Sequence, residues 1–203
     1  MEIFLIRHSR PDIESGICYG QSDVLLSKEF AEEFGWLHSH FPRVLDAVFT
    51  SPLSRCAVLA ERIRAGEYFE DKRLLELNFG LWELKRWNEI DQIALDKWMK
   101  DYVNYQIPGG ESFTSLHRRT NHFFDELISS NFRSVAIVTH AGVIRSLLVR
   151  VLDVPLANAF RIAVDYASLS KVIVNRSSRI SHVSFLNLSK TLECGRDSYL
   201  QPK

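Results

Sequence analysis

The sequence predicts an α/β fold, a three-layer αβα sandwich around a mostly parallel central sheet with an antiparallel edge. Three short, β-branched apolar runs predict the sheet: Ile3-Phe4-Leu5-Ile6, Ala47-Val48-Phe49-Thr50 and Val135-Ala136-Ile137-Val138. Runs of this kind read as strands buried on both faces, as parallel sheets require. Each is followed by a helix-like segment, the alternation that makes βα units. The last third changes character. Residues 168–174 and 180–186 resemble paired strands joined through residues 175–179, which predicts the antiparallel edge.

Local signals place the elements between these strands. After the first strand, Ser27 is a plausible N-cap, and Phe30, Phe34, Leu37 and Phe41 recur at helical spacing to make one apolar face. The second strand ends at Thr50, and Ser51-Pro52-Leu53 turns into a helix over 54–65. Residues 73–78 read as a short strand and 87–103 as a helix. Pro108-Gly109-Gly110 is a turn, followed by a helix over 112–129. The strand over 134–139 leads into a helix over 141–152. From residue 189 onward the chain is polar and is expected to be a loose tail. The absence of an internal repeat or linker predicts a single domain over 1–203.

With 203 residues and 46% hydrophobic content, the chain can bury one sizeable core. Its 25 basic and 25 acidic residues cancel. No global field recruits nucleic acid or a membrane surface, so any anion site must be local. Cys18, Cys56 and Cys194 are odd in number and widely spaced, against a disulfide framework or a cysteine-based zinc site. The early first strand leaves no room for a signal peptide, and no apolar stretch approaches the roughly 20 residues that span a bilayer. The expected location is the cytoplasm, as a monomer or homodimer with a small metabolite as partner.

In open α/β sheets the reactive crevice lies beyond the carboxyl ends of the strands. The first run delivers Arg7-His8 there, and the third delivers Thr139-His140-Ala141-Gly142. The second places Arg55 in the first turn of its following helix, where free backbone N–H groups favour anions. If these three strands are neighbours, two guanidiniums and two imidazoles crowd one rim and make a pocket for a tetrahedral dianion, phosphate first. A metal is rejected, because adjacent arginines repel a divalent ion and no HxH, HxxxH or carboxylate-rich cluster accompanies His8 or His140. His38, His40, His117, His122 and His182 are assigned ordinary structural or surface roles.

The motifs LIRHSRPD (5–12), TSPLSR (50–55), RLLELNFGLWE (73–83), PGGES (108–112) and VTHAGVIRSLL (138–148) resemble the histidine phosphatase (phosphoglycerate mutase-like) superfamily in order and spacing. Within it, the Arg-Pro-Asp after the histidine and CYGQSDVLLS (18–27) look most like the alpha-ribazole phosphatases, which release phosphate from alpha-ribazole 5'-phosphate in cobalamin lower-loop assembly. The resemblance implies a phosphoglycerate mutase-like sandwich and a phosphomonoesterase that needs no metal or other cofactor. His8 would be the nucleophile, forming a phosphohistidine. Arg7, Arg55 and His140 would bind the equatorial oxygens. Glu76 would protonate the leaving alkoxide, with Glu83 and Glu111 as alternative acids. Gly20, Gln21 and Ser22 fall where the family brings a loop to the phosphate, or they form an ordinary polar turn. Arg10 would contact substrate or cap the rim, Gly142 would lend an N–H to the anion, and Arg145 would buttress the site. Trp82, Trp87 and Trp98 are expected to pack.

The chain departs from the family in carrying Ser9 after the histidine, where glycine is commoner, and Arg10-Pro11 in place of an acidic-threonine pair. Neither change removes a catalytic group. The alternatives are a phosphoglycerate mutase or a broad small-metabolite or sugar phosphatase, and beyond these a catalytically silent phosphate-binding module. Only about thirty residues separate Glu76 from Pro108-Gly109, too few for the longer covering insertion of a mutase, so hydrolysis is favoured over transfer. A pure binder has no need of an acid.

Overall fold

The computed structural model describes residues 1–42, 44–176 and 180–190. Among them, six strands form one sheet: β1 (Glu2–Arg7), β2 (Leu45–Thr50), β3 (Ala65–Glu70), β4 (Ser134–Thr139), β5 (Leu169–Val174) and β6 (Ser181–Leu188). Their order is β3-β2-β4-β1-β5-β6. The pairs β1–β4, β4–β2 and β2–β3 are parallel, whereas β1–β5 and β5–β6 are antiparallel. The three runs read as buried strands are therefore adjacent, β2-β4-β1, at the centre of the sheet.

Among the described residues five α-helices accompany them: α1 (Phe30–His38), α2 (Ser54–Ala60), α3 (Gln92–Lys100), α4 (Phe113–Ser129) and α5 (Ala141–Val151). Successive strand side chains point to opposite faces, which splits the core in two. Phe4, Ile6, Val48, Ala136 and Val138 pack with Leu37 of α1 and Cys56 and Leu59 of α2. Ile3, Leu5, Ala47, Val135 and Ile137 pack on the other face with Leu116 and Phe123 of α4 and Ile144 and Leu147 of α5. This is the predicted three-layer sandwich. Among the described residues no helix is long and apolar enough to cross a membrane.

Several local expectations are corrected. The helix over 54–65 stops at Ala60, and Ala65–Glu70 is an exposed edge strand paired with β2. Its sequence, Ala-Gly-Glu-Tyr-Phe-Glu, lacks the apolar pattern of a buried strand, so backbone pairing decided it. Residues 73–78 form no strand; a 3₁₀ turn over Lys72–Leu74 is capped by the Asp71 carboxylate, which accepts from the Arg73 N–H at 2.7 Å. The helix over 87–103 divides into a 3₁₀ turn, Trp87–Glu89, and α3, which is capped by Asp91. Helix α1 starts at Phe30 after Glu29, with no side-chain cap from Ser27. By contrast, Ser112 caps α4 as its sequence implies. Of the expected tail over 189–203, the first two residues are held: Ser189 is buried, its hydroxyl donates to Asp165 at 3.4 Å, and Lys190 pairs with Glu32. Residues 191–203, with Cys194, lie outside the described residues, as do 177–179 of the β5–β6 connection.

Candidate active site

Register sets the site. Arg7 pairs with Thr139 at the ends of β1 and β4, and Thr50 with Val138 at the end of β2, so all three strands deliver their next residues to one rim. The ring centres of His8 and His140 are 5.1 Å apart. His8 is 1% exposed and His140 fully buried. Nδ1 of His8 lies 2.7 Å from the Ser9 carbonyl oxygen, which can only accept, so Nδ1 carries the proton and Nε2 the lone pair. Burial first, then the charges of Arg7 and Arg55, hold His8 well below the ordinary imidazole value of 6.5, against the opposing Ser9 bond. His140 is the N-cap residue of α5, with Nε2 2.8 Å from Ser51 Oγ. Burial, then His8 and Arg55, likewise lower its pKa.

Arg55 is completely buried and donates through its two terminal nitrogens to the carbonyls of Ser22 (2.8 Å) and Gly20 (2.6 Å). Arg7 donates to the Val164 carbonyl at 2.6 Å, with the Tyr166 ring centre 3.7 Å from its guanidinium carbon. Neither guanidinium pairs with a carboxylate among the described residues, and both Nε atoms are buried without a partner. Enclosed cations cost several kcal/mol unless an anion offsets them. Two imidazoles kept neutral beside two obligate cations therefore form a receptor for an anion with a nucleophilic nitrogen at its base.

The three carboxylates read as candidate acids are held differently. Glu76 lines a cavity of about 480 Å³. One oxygen accepts the Leu77 N–H at 2.8 Å and the other the Gly142 N–H at 3.2 Å, at the N-terminal turn of α5. A Cβ on Gly142 would stand 2.3 Å from Glu76 Oε1, so glycine is what permits this approach. The Gly142 N–H is thus turned to the carboxylate. Glu83 accepts from the N–H groups of Gln21 (2.9 Å), Ser22 (2.7 Å) and Phe79 (3.0 Å) and from the Ser22 hydroxyl (2.6 Å). It staples the loop whose carbonyls receive Arg55. Glu111 accepts the Asn78 N–H at 3.0 Å and pairs with Arg119 at 2.7 Å.

Of the remaining candidates, Gly20 lines the cavity, Gln21 donates to the Glu76 carbonyl at 2.8 Å, and exposed Arg10 lies at the rim with its guanidinium 5.5 Å from Tyr166. Arg145 lines the wall directly. Trp82 and Trp98 pack edge-to-face at 6.1 Å, and Trp87 stacks on Trp98 at 5.9 Å while also reaching the cavity. Sequence reasoning missed Ser51, Tyr19 and Tyr166. Ser51 stands at a strand end within the motif over 50–55 and was findable. Tyr19 lies within the motif over 18–27 and was findable in the same way, whereas Tyr166, whose hydroxyl stands 2.8 Å from that of Tyr19, comes from a distant loop and carried no local signal. Among the described residues no three His, Cys, Asp or Glu side chains gather as a metal would need.

The fold and the matching family model together define an α/β enzyme that hydrolyses phosphoric monoesters. The chain belongs to the histidine phosphatase superfamily (branch 1), whose family model matches residues 3–185. It is 27% identical over 183 residues to the adenosylcobalamin/alpha-ribazole phosphatase of Salmonella typhimurium, covering 85% of this chain and 90% of that one. It is 24% identical over 198 residues to phosphoserine phosphatase 1 of Hydrogenobacter thermophilus, covering 93% of each. The crystal structure of the alpha-ribazole phosphatase from Shigella flexneri superposes with a TM-score of 0.82 at 24% identity, over 93% of this chain and 96% of that one.

Proposed function

We propose that the chain hydrolyses a small phosphomonoester, without a metal, through a phosphohistidine at His8. The observation that carries this reading is the His8 ring itself: neutral, with Nε2 unprotonated, and enclosed between two guanidiniums that have no carboxylate partner. In the first step Nε2 attacks phosphorus in line, the P–O ester bond breaks, and Glu76 gives its proton to the departing oxygen. Arg7, Arg55 and His140 bind the equatorial oxygens, where transition-state charge resides. In the second step the Glu76 carboxylate takes a proton from water, the water oxygen bonds to phosphorus, and the P–N bond breaks to return His8 and inorganic phosphate. Side chains supply all the positive charge, so a chelator leaves turnover intact.

Two leaving groups fit the cavity. Alpha-ribazole is supported by the named relatives and by the aromatic walls, with Phe79, Trp87, Phe113 and Phe160 suited to a flat base. A small hydroxy acid is supported by Arg10 and Arg145, which place cations in the same walls. Rapid acid or base quench after mixing with labelled substrate tests the mechanism. We expect an acid-labile, base-stable phosphoprotein in the wild type and neither label nor turnover in His8→Ala. Wild-type turnover without label, or turnover persisting in His8→Ala, would overturn it.

A further inference from the structure

The cavity wall past Glu76 carries a cation that the phosphate chemistry leaves unused. Arg145 lies on α5 three residues after Gly142, on the helix face that also holds the Glu76 carboxylate. Its Nε donates to the Ile162 carbonyl at 3.0 Å, and its guanidinium carbon stands 5.0 Å from the Phe160 ring centre. The stem is thereby fixed. The two terminal nitrogens hydrogen-bond nothing among the described residues, and no carboxylate there forms an ion pair with them. Burial, then the charge of Arg7, holds this guanidinium below its ordinary pKa, against the opposing charges of Glu76 and Asp165. Arg145 and Glu76 line one cavity, the space that receives the alcohol half of a substrate.

We propose that Arg145 receives a carboxylate on the alcohol half of the substrate, which makes phosphomonoesters of small hydroxy acids the preferred class. The proposal rests on the phosphomonoesterase reading and selects the second of its two leaving groups. One planar fork matches one planar carboxylate with two parallel hydrogen bonds. A second phosphate is the poorer match, since the first is met by two guanidiniums and two imidazoles. Fixing the carboxylate would also orient the ester oxygen toward Glu76.

The test compares substrates that differ by the carboxylate alone: O-phosphoserine against phosphoethanolamine, and 3-phosphoglycerate against glycerol 3-phosphate. In the wild type, kcat/KM is expected to favour the carboxylated member of each pair at least tenfold, chiefly through KM. In Arg145→Gln that ratio falls to about one. Because the ratio is taken within one protein, partial loss of folded enzyme does not move it. Arg145→Lys, which keeps a point charge without the fork, is expected to lower the ratio threefold or more, and it serves where the glutamine variant is too unstable to assay. A wild-type ratio near one, an unaltered ratio in the variants, or a hundredfold preference for alpha-ribazole 5'-phosphate would overturn the assignment while leaving the phosphatase intact. Failure to hydrolyse any of these or p-nitrophenyl phosphate would instead sink the phosphatase reading itself.

Discussion

Glu76, Glu83 and Glu111 are the same kind of group in one neighbourhood, and their partners separate them. Glu83 accepts four hydrogen bonds and Glu111 faces Arg119, whereas Glu76, in the segment after β3, presents to the cavity a carboxyl held by the Gly142 N–H in the first turn of α5. A general acid is worth roughly 10²–10⁴-fold where the leaving oxygen needs a proton, and little where it does not. Glu76→Gln is therefore expected to slow alkyl phosphates by about 10²-fold or more and p-nitrophenyl phosphate by less than tenfold. Steady-state kcat for both substrates checks this, and equal slowing would move the acid elsewhere. Sequence reasoning left these three carboxylates open because their spacing is alike in kind; which one faces substrate depends on how the segment after β3 folds back.

At the scale of elements, the N-terminus of α5 joins the phosphate chemistry to the acid. His140 holds the N-cap position of the helix, and Gly142, one residue past Ala141, brings its N–H to Glu76. An alanine at 142 suits a helix better than glycine by about 1 kcal/mol. Its Cβ would nevertheless stand 2.3 Å from Glu76 Oε1, and the flexible carboxyl would be what yields. Gly142→Ala should therefore fold with a melting temperature close to wild type yet lose at least tenfold in kcat on alkyl phosphates. Thermal melting beside steady-state kinetics makes the comparison, and an unaltered kcat would mean that Glu76 works from another position. The segment carrying Glu76 is itself hung from α4, with Arg119 donating to the carbonyls of Arg73 (2.6 Å) and Glu76 (2.9 Å). That explains why 73–78 is no strand: its carbonyls bond to a side chain instead of a neighbouring backbone.

At the scale of the whole molecule, the enclosed histidines tie stability to pH. Burial lowers the folded-state pKa of His8, His140 and His117 below 6.5. Below that value the unfolded chain takes up protons that the folded chain refuses, so stability falls as pH drops. The fall ends once the folded histidines also protonate. Carboxylates held low by their partners, such as Asp46 and Glu126 with ordinary values of 3.8 and 4.5, act only at lower pH. Unfolding free energy measured in denaturant is expected to decline from pH 7 to pH 5, with a shallower decline in His8→Asn. A flat profile over that interval would mean that these imidazoles take up protons in the fold as they do in the unfolded chain.

The sequence by itself determined the central sheet, the residues at its strand ends and the family. Buried parallel strands must be continuous apolar runs, and the residues just past their carboxyl ends are forced to the crevice, so Arg7, His8, Arg55 and His140 could be placed from local pattern. The edge strand β3, the broken segment over 71–91 and the choice among three glutamates were decided only by tertiary structure. Those positions are exposed or irregular, and their conformation is set by long-range hydrogen bonds from β2, Arg119 and Gly142 rather than by the burial of an apolar face. Tyr166 and Arg145 belong with them. Each acquires its meaning from a neighbour outside its own element, Arg7 for the first and the Ile162 carbonyl for the second, and local periodicity does not encode such a meeting.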